Sequence, residues 1–295
     1  LGGYTDFATR AQLLFTPGDR ASVLASINFR DLQGSSTFFR ANILGPGNNK
    51  LNANYDRDTV FYDAGGGNQA DYQQFGATLT AAYEFDGATL TSITSHWTSE
   101  GSSRGDVDGG FGAVFLPGGG GPGLIPFPSD TQDSIDLKQT TQEIRLASTG
   151  EGPLSWQVGG FYFESDFDVT TVGFTFPPPV TVNHTNEAWA LFGQVGYQLT
   201  EKLRVTGGLR YTDDQKDFFV RSGAAPQPRS VGDDQFDWDI SIFGDVSEDA
   251  SVYAKIANSF RGPTIQGRDV AFFNPPSVAQ SENITSYEVG FKSEL

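Results

Sequence analysis

The chain has 295 residues, with 36 Asp and Glu against 19 Lys and Arg, a formal charge of −17, 25 Phe, 36 Gly, no Cys and no Met. That charge argues against nucleic acid as a partner, because phosphates would be repelled. Without cysteine there is no disulfide framework, no thiol nucleophile and no Cys-ligated metal, and the aromatic content is too high for a disordered chain.

Mean hydropathy is slightly negative. The uninterrupted apolar stretches are short, such as Ala188 to Phe192, whereas a spanning helix needs roughly 20 apolar residues. The dominant pattern is alternation with a period of two, the signature of half-buried strands. It predicts about eleven strands in chain order, near 7–16, 21–32, 72–86, 88–99, 138–148, 154–168, 186–199, 202–213, 236–246, 250–258 and 283–294. Several match or exceed the roughly 9–11 residues of a strand that crosses a bilayer.

The connections between these strands alternate in length. The short ones are Pro17 to Arg20, Asp86-Gly87, Thr149 to Pro153, Glu201-Lys202 and Ser247 to Asp249. The long ones run near 33–71, 100–137, 169–185, 214–235 and 259–282. In an up-and-down meander this puts every tight turn at one end and every long loop at the other. Transmembrane β-barrels show that asymmetry, with short periplasmic turns and longer extracellular loops. The fold class expected is therefore all-β: an antiparallel up-and-down meander forming a partial transmembrane β-barrel.

The hairpin WALFGQVGYQLTEKLRVTGGLRYTDDQ over 189–215 sets out the two faces. One carries Trp189, Leu191, Val195, Tyr197, Leu199, Leu203, Val205, Leu209 and Tyr211. The other carries Gln194, Gln198, Arg204, Thr206, Arg210 and Thr212. A soluble monomer rarely exposes a contiguous apolar patch of more than a few hundred Å², so the first face is expected to meet lipid. Arg204 and Arg210 then look into the lumen. Two strands leave their parity open. In 154–168 either Trp156, Val158, Gly160 and Tyr162 face outward or Phe161 and Phe163 do. In 88–99, Leu90 and the pair Ile93 and Trp97 have opposite parity, which a bulge would reconcile.

Enzyme chemistry finds little support. His96 and His184 are the two histidines, too few for a zinc site, and both read as exposed polar residues. No GxxxxGK[ST] phosphate loop and no GxSxG elbow occurs. Glu164, Asp166 and Asp168 share one strand face and read as a solvated extension. Asp106-Val-Asp108-Gly109 has only part of a calcium-loop spacing and reads as a polar turn. Binding fits the long loops better. Phe111, Phe115 and Phe127 punctuate a Gly-rich segment, Phe218 and Phe219 come with Lys216, Arg221 and Arg229, and Arg261, Arg268, Phe272 and Phe273 share the last long loop. Aromatics with a few charges suit ligand surfaces; the competing reading is that they order the loops.

LFGQVGYQLTEKLRVTGGLRYTDDQKDF resembles the mid-barrel hairpin of TonB-dependent outer-membrane receptors. TTQEIRLAS at 140–148 with WQVGGFYF at 156–163 resembles the hairpin before it, and RAQLLFTPGDRASVLASINFRD at 10–31 fits an earlier one. VYAKIANSFRGPTI at 252–265 and ENITSYEVGFKSEL at 282–295 resemble the strands flanking a long extracellular loop. The stretches occur in the expected order and cover most of the chain. The resemblance implies solute uptake with no bond-making chemistry, no cofactor and no metal. It implies four partners: a plug domain of the same parent chain, the TonB complex engaged through the parent's N-terminal region, an extracellular small-molecule ligand, and the lipid bilayer of a Gram-negative outer membrane. Barrels of this family close with about 22 strands. Residues 1–295 are accordingly expected to be an internal barrel segment, with the plug and the closing C-terminal strands elsewhere in the parent. A passive porin-like barrel and a secreted soluble β-protein that binds carbohydrate are the rival readings.

Overall fold

The computed structural model describes residues 2–294, apart from 39, 41–42, 46, 62–66, 107–108, 110–129 and 174–177. Ten strands run in sequence: β1 (Tyr4–Phe15), β2 (Ala21–Ser35), β3 (Gln69–Glu84), β4 (Ala88–Asp106), β5 (Asp130–Ser148), β6 (Leu154–Gly173), β7 (Val180–Thr200), β8 (Leu203–Ser222), β9 (Arg229–Ser247) and β10 (Ala250–Arg261). Two three-residue strands, β11 (Thr264–Gln266) and β12 (Ser277–Ala279), flank a short 3-10 helix over Gly267–Phe272. The last strand is β13 (Glu282–Ser293).

The long strands form one 11-stranded antiparallel sheet in the order β1 to β10, then β13. Its edge strands are β1 and β13, each paired on one side only among the described residues, β1 with β2 and β13 with β10. The tight turns and the long connections segregate to opposite ends, as the alternation implied. The strands are longer than the sequence pattern suggested. The expected long loops at 169–185 and 214–235 shrink to 174–179 and 223–228, because β6, β7 and β8 remain paired beyond the apolar stretch, from Phe167↔His184 and His184↔Phe218 to Thr171↔Val180.

Cross-strand partners share a face, so the register fixes the orientation of every residue. Leu191 faces Tyr211, and Tyr211 faces Phe236. Leu209 faces Trp238, and Tyr197 faces Val205. This apolar face is solvent-exposed over its whole width: Phe7, Ile27, Phe75, Leu79, Val158, Leu209 and Ile240 all lie open, Leu209 at 54 %. Trp189, Tyr211 and Phe236 form a row of rings, with centroids 5.4 and 4.8 Å apart. They stand toward the long-loop end, where an aromatic girdle marks a bilayer interface.

Both parity ambiguities resolve without a bulge. In β6, Trp156 pairs with Val195 and Tyr162 with Trp189, so they join the apolar face, while Phe161 and Phe163 face inward opposite Ala190 and Ala188. In β4 the register runs unbroken; Leu90 faces Tyr83 on the apolar side, and Ile93 and Trp97 point inward. Trp97 can do so because it lies across Gly76, where a Cβ would come within 2.5 Å of the indole. The inward aromatics therefore reflect a glycine slot on the neighbouring strand, a pairing that hydropathy does not reveal.

Candidate functional site

Beyond the girdle the inner faces of β5 to β8 stop being polar. Leu137 pairs with Phe167, Ile135 with Val169, Val169 with Val182, and Val182 with Val220. The alternation that puts apolar residues outward lower down thus puts others inward here. The segment between β10 and β13 folds back onto this patch. Ile265 of β11 and Val270 of the 3-10 helix pack with Val180, Val182 and Phe218 into a buried cluster, Phe218 being 1 % exposed. Gly267 lies so close to the Phe218 ring and to His184 Nε2 that a Cβ would sit 2.7 Å from that nitrogen.

Electrostatics add a second tie. Arg268 Nη2 donates to Asp133 Oδ2 at 2.6 Å and its Nε to Oδ1 at 3.3 Å, joining the folded-back segment to β5. Thr171 Oγ1 donates to the same Oδ1 at 2.7 Å. Lys216 is paired with Asp214 on its own strand, and the chain at Gly262 passes directly against that pair.

Between the wall and this segment lies a cavity of about 570 Å³. Ile135, Leu137, Phe167 and Val169 form its floor, His184, Asn186 and Lys216 one side, and Ile265 to Arg268 the other. Its size is that of small-molecule sites, about 300–1,000 Å³. A larger depression, about 920 Å³, lies among Trp156, Leu191, Leu209 and Trp238 on the outward apolar face, on the opposite side of the wall from this cavity.

The expected site residues separate accordingly. Phe218 is not on a loop; it is an inward residue of β8 at the centre of the packed cluster. Phe219 and Arg221 are also on β8, and there Arg221 lies over the Phe219 ring at 5.1 Å and donates to Asp168 Oδ1 at 2.6 Å. They stand on the outward side with Asp166, Asp168 and Asn183, whose Nδ2 donates to both carboxylates. Strand extension explains these corrections. Arg261 ends β10 and pairs with Glu282 at 3.3 Å. Arg268 borders the cavity, while Phe272 belongs to the 3-10 helix and Phe273, its left-handed cap at φ 62°, is 82 % exposed. Phe111 and Phe115, with Phe127, lie outside the described residues. Arg204 and Arg210 face inward; Arg204 lies over Phe243 at 5.8 Å, and Arg210 over Phe161 and Phe192 at 5.7 and 5.9 Å.

His96 is exposed and hydrogen-bonds Thr140 at 3.0 Å. His184 departs from the expected exposed residue. It stands five positions beyond Trp189, outside the apolar belt, with its ring 5.0 Å from that of Phe218 and 6.5 Å from that of Phe167. Burial there holds the imidazole below its ordinary pKa. Inward strand residues beyond the girdle, among them Ile135, Phe167 and Val169, were the part of the site that sequence reasoning missed. The persisting alternation of Ile135 with Leu137 and of Phe167 with Val169 was the signal that could have found them.

The family model for the TonB-dependent receptor-like β-barrel matches residues 11–295. The chain belongs to the TonB-dependent receptor family. Solved structures of that architecture superpose on it. The ferric yersiniabactin uptake receptor FyuA from Yersinia pestis is 16 % identical with a TM-score of 0.74, over 100 % of this chain and 44 % of the receptor. The ferric-catecholate import receptor Fiu from E. coli K12 is 12 % identical at 0.73, over 99 % and 50 %. The copper transporter OprC is 11 % identical at 0.66, over 99 % and 43 %. At these identities the likeness is one of fold, and the chain spans half or less of each receptor's length. The 11-stranded open sheet is thus a partial barrel of a TonB-dependent receptor, with the apolar face on the lipid side and the cavity on the lumen side.

Proposed function

We propose that this chain is the part of an outer-membrane receptor barrel that captures a scarce solute on the extracellular side, for import energised through TonB. The cavity formed where the β10–β13 segment docks on the inner wall carries this reading. It lies at the long-loop end, beyond the girdle, where an arriving solute is first met. Family membership supports the energised mechanism, in which a plug domain elsewhere in the parent fills the lumen and engages the TonB complex. The barrel makes and breaks no bonds; it positions the ligand above the plug. The related receptors named for ferric chelates and copper favour a metal complex among the solute classes, ahead of cobalamin or a saccharide. Among the arginines and phenylalanines of the upper strand ends and loops, Arg268 is the one best placed to touch that solute.

The continuous apolar outward face speaks against a secreted soluble protein. The experiment is uptake of radiolabelled iron, copper and cobalamin by the source bacterium, with the parent gene deleted and with TonB inactivated. Loss of one uptake activity in both strains is the expected result. Uptake that needs the parent gene and is indifferent to TonB would identify a passive pore instead.

A further inference from the structure

The charges around the cavity are already spoken for. Arg268 is held by Asp133 through two hydrogen bonds, and Lys216 is paired with Asp214. An entering anion would therefore meet two neutralised pairs, within a chain whose formal charge is −17. Such a site neither attracts nor compensates a buried negative charge. The surface it does offer is uncharged and largely apolar: Leu137 and Val169 beside Phe167, the His184 ring backed by Phe218, and at the margins the neutral amides of Asn186 and Gln266. His184 is engaged by ring contacts on the wall side and borders the cavity on the other. Flat rings favour offset or edge contacts with such neighbours.

We propose that this cavity takes an uncharged, ring-bearing part of the imported solute, so that the receptor selects solutes carrying such a group over compact polyanions. This rests on the uptake reading for the site itself, and adds the chemistry of what enters it. Arg268 acts in this arrangement as a tie between the folded-back segment and β5. The selectivity lies in Leu137, Phe167, Val169 and His184.

The test uses the full-length receptor in detergent and two probes of one size and opposite charge state, 4-fluorobenzyl alcohol and 4-fluorobenzoate, observed by 19F line broadening at neutral pH. Val169→Trp and, separately, Leu137→Trp fill the floor; their spectra also subtract partition of the probe into micelles. The expected result is broadening of the alcohol at least about tenfold stronger than that of the benzoate, a fraction of the full cost of one unpaired buried charge, and its loss in both variants. Broadening of the benzoate equal to or greater than that of the alcohol would overturn the inference. So would an alcohol signal unchanged by both substitutions. Heat-modifiable migration confirms that each variant is assembled, and either variant suffices if the other fails. The TonB-dependence of uptake is measured independently, so the cavity's chemistry and the transport reading can fail separately.

Discussion

Charge placed on the outward face of β8 should cost stability in proportion to its depth, and the register supplies the depth. Tyr211 belongs to the ring row with Trp189 and Phe236. Leu209 is two residues nearer the turn, about 7 Å along the strand, which at a tilt of about 35–45° lies about 5 Å below the girdle. Val205 is six residues from Tyr211, about 15 Å below it, near the middle of an apolar band about 25 Å tall. Arginine on the lipid face costs about 2–4 kcal/mol at the midplane and falls to about 0–1 at the interface. Val205→Arg should therefore cost about 2–4 kcal/mol and Leu209→Arg about 1–3, with the long side chain snorkelling upward. Thr206→Arg, one residue from Val205 but on the lumen side opposite Gly196, should cost about 0.5 kcal/mol or less. The assay is folding of the full-length receptor into lipid vesicles, titrated with urea and followed by heat-modifiable migration. Equal penalties at 205 and 206, or the larger one at 206, would refute the assignment of faces.

The docked segment between β10 and β13 yields three more expectations. Phe218→Ala should cost about 3–5 kcal/mol, as for truncating a fully buried aromatic, and hydrogen exchange should rise first over 264–279, while the strands below the girdle stay protected. Asp133→Asn should loosen the same segment by about 1 kcal/mol, since the ion pair is part-exposed; a double-mutant cycle with Arg268→Gln should recover most of that as coupling, and additive effects would show that the pair contributes nothing to docking. His184 gives the docking a pH dependence. Its pKa is lower docked than free, so docking is unaffected above about 6.5 and weakens as pH falls below it, because the proton must enter a ring cluster already flanked by Arg268 and Lys216, with Asp133 and Asp214 as their counter-charges. Protection factors over 264–279 that fall as pH is lowered below about 6.5 in the wild type and not in His184→Gln are the expected outcome; identical profiles would remove the imidazole as the cause.

The fold was legible because a barrel wall repeats one simple rule. Alternation placed Leu209 and Tyr211 on one face and Arg210 on the other, and the register of β7, β8 and β9 keeps every such residue where the pattern put it. The same rule misled at the upper ends of the strands. There the polarity of the two faces reverses, with Phe167, Val169 and Val182 inward against Asp166, Asp168 and Asn183 outward, so the rule of the lipid belt no longer applies and the strand ends look like loops. What buries those residues is a segment roughly 80 to 100 positions away in sequence, Ile265 to Val270, and no local period shows what an inward apolar residue will pack against. Arg268 shows the same limit from the other side: its partner Asp133 is 135 residues distant, so sequence could propose the arginine as a ligand contact and had no means of knowing that a carboxylate already held it. In a wall whose outward face is given to lipid, a buried apolar core forms where a connection folds back inward. The cavity proposed for the ligand lies there because the docked segment leaves an opening beside that core. A substitution that undocks the segment should therefore remove stability and ligand binding together, whereas one on the lipid face should remove stability alone.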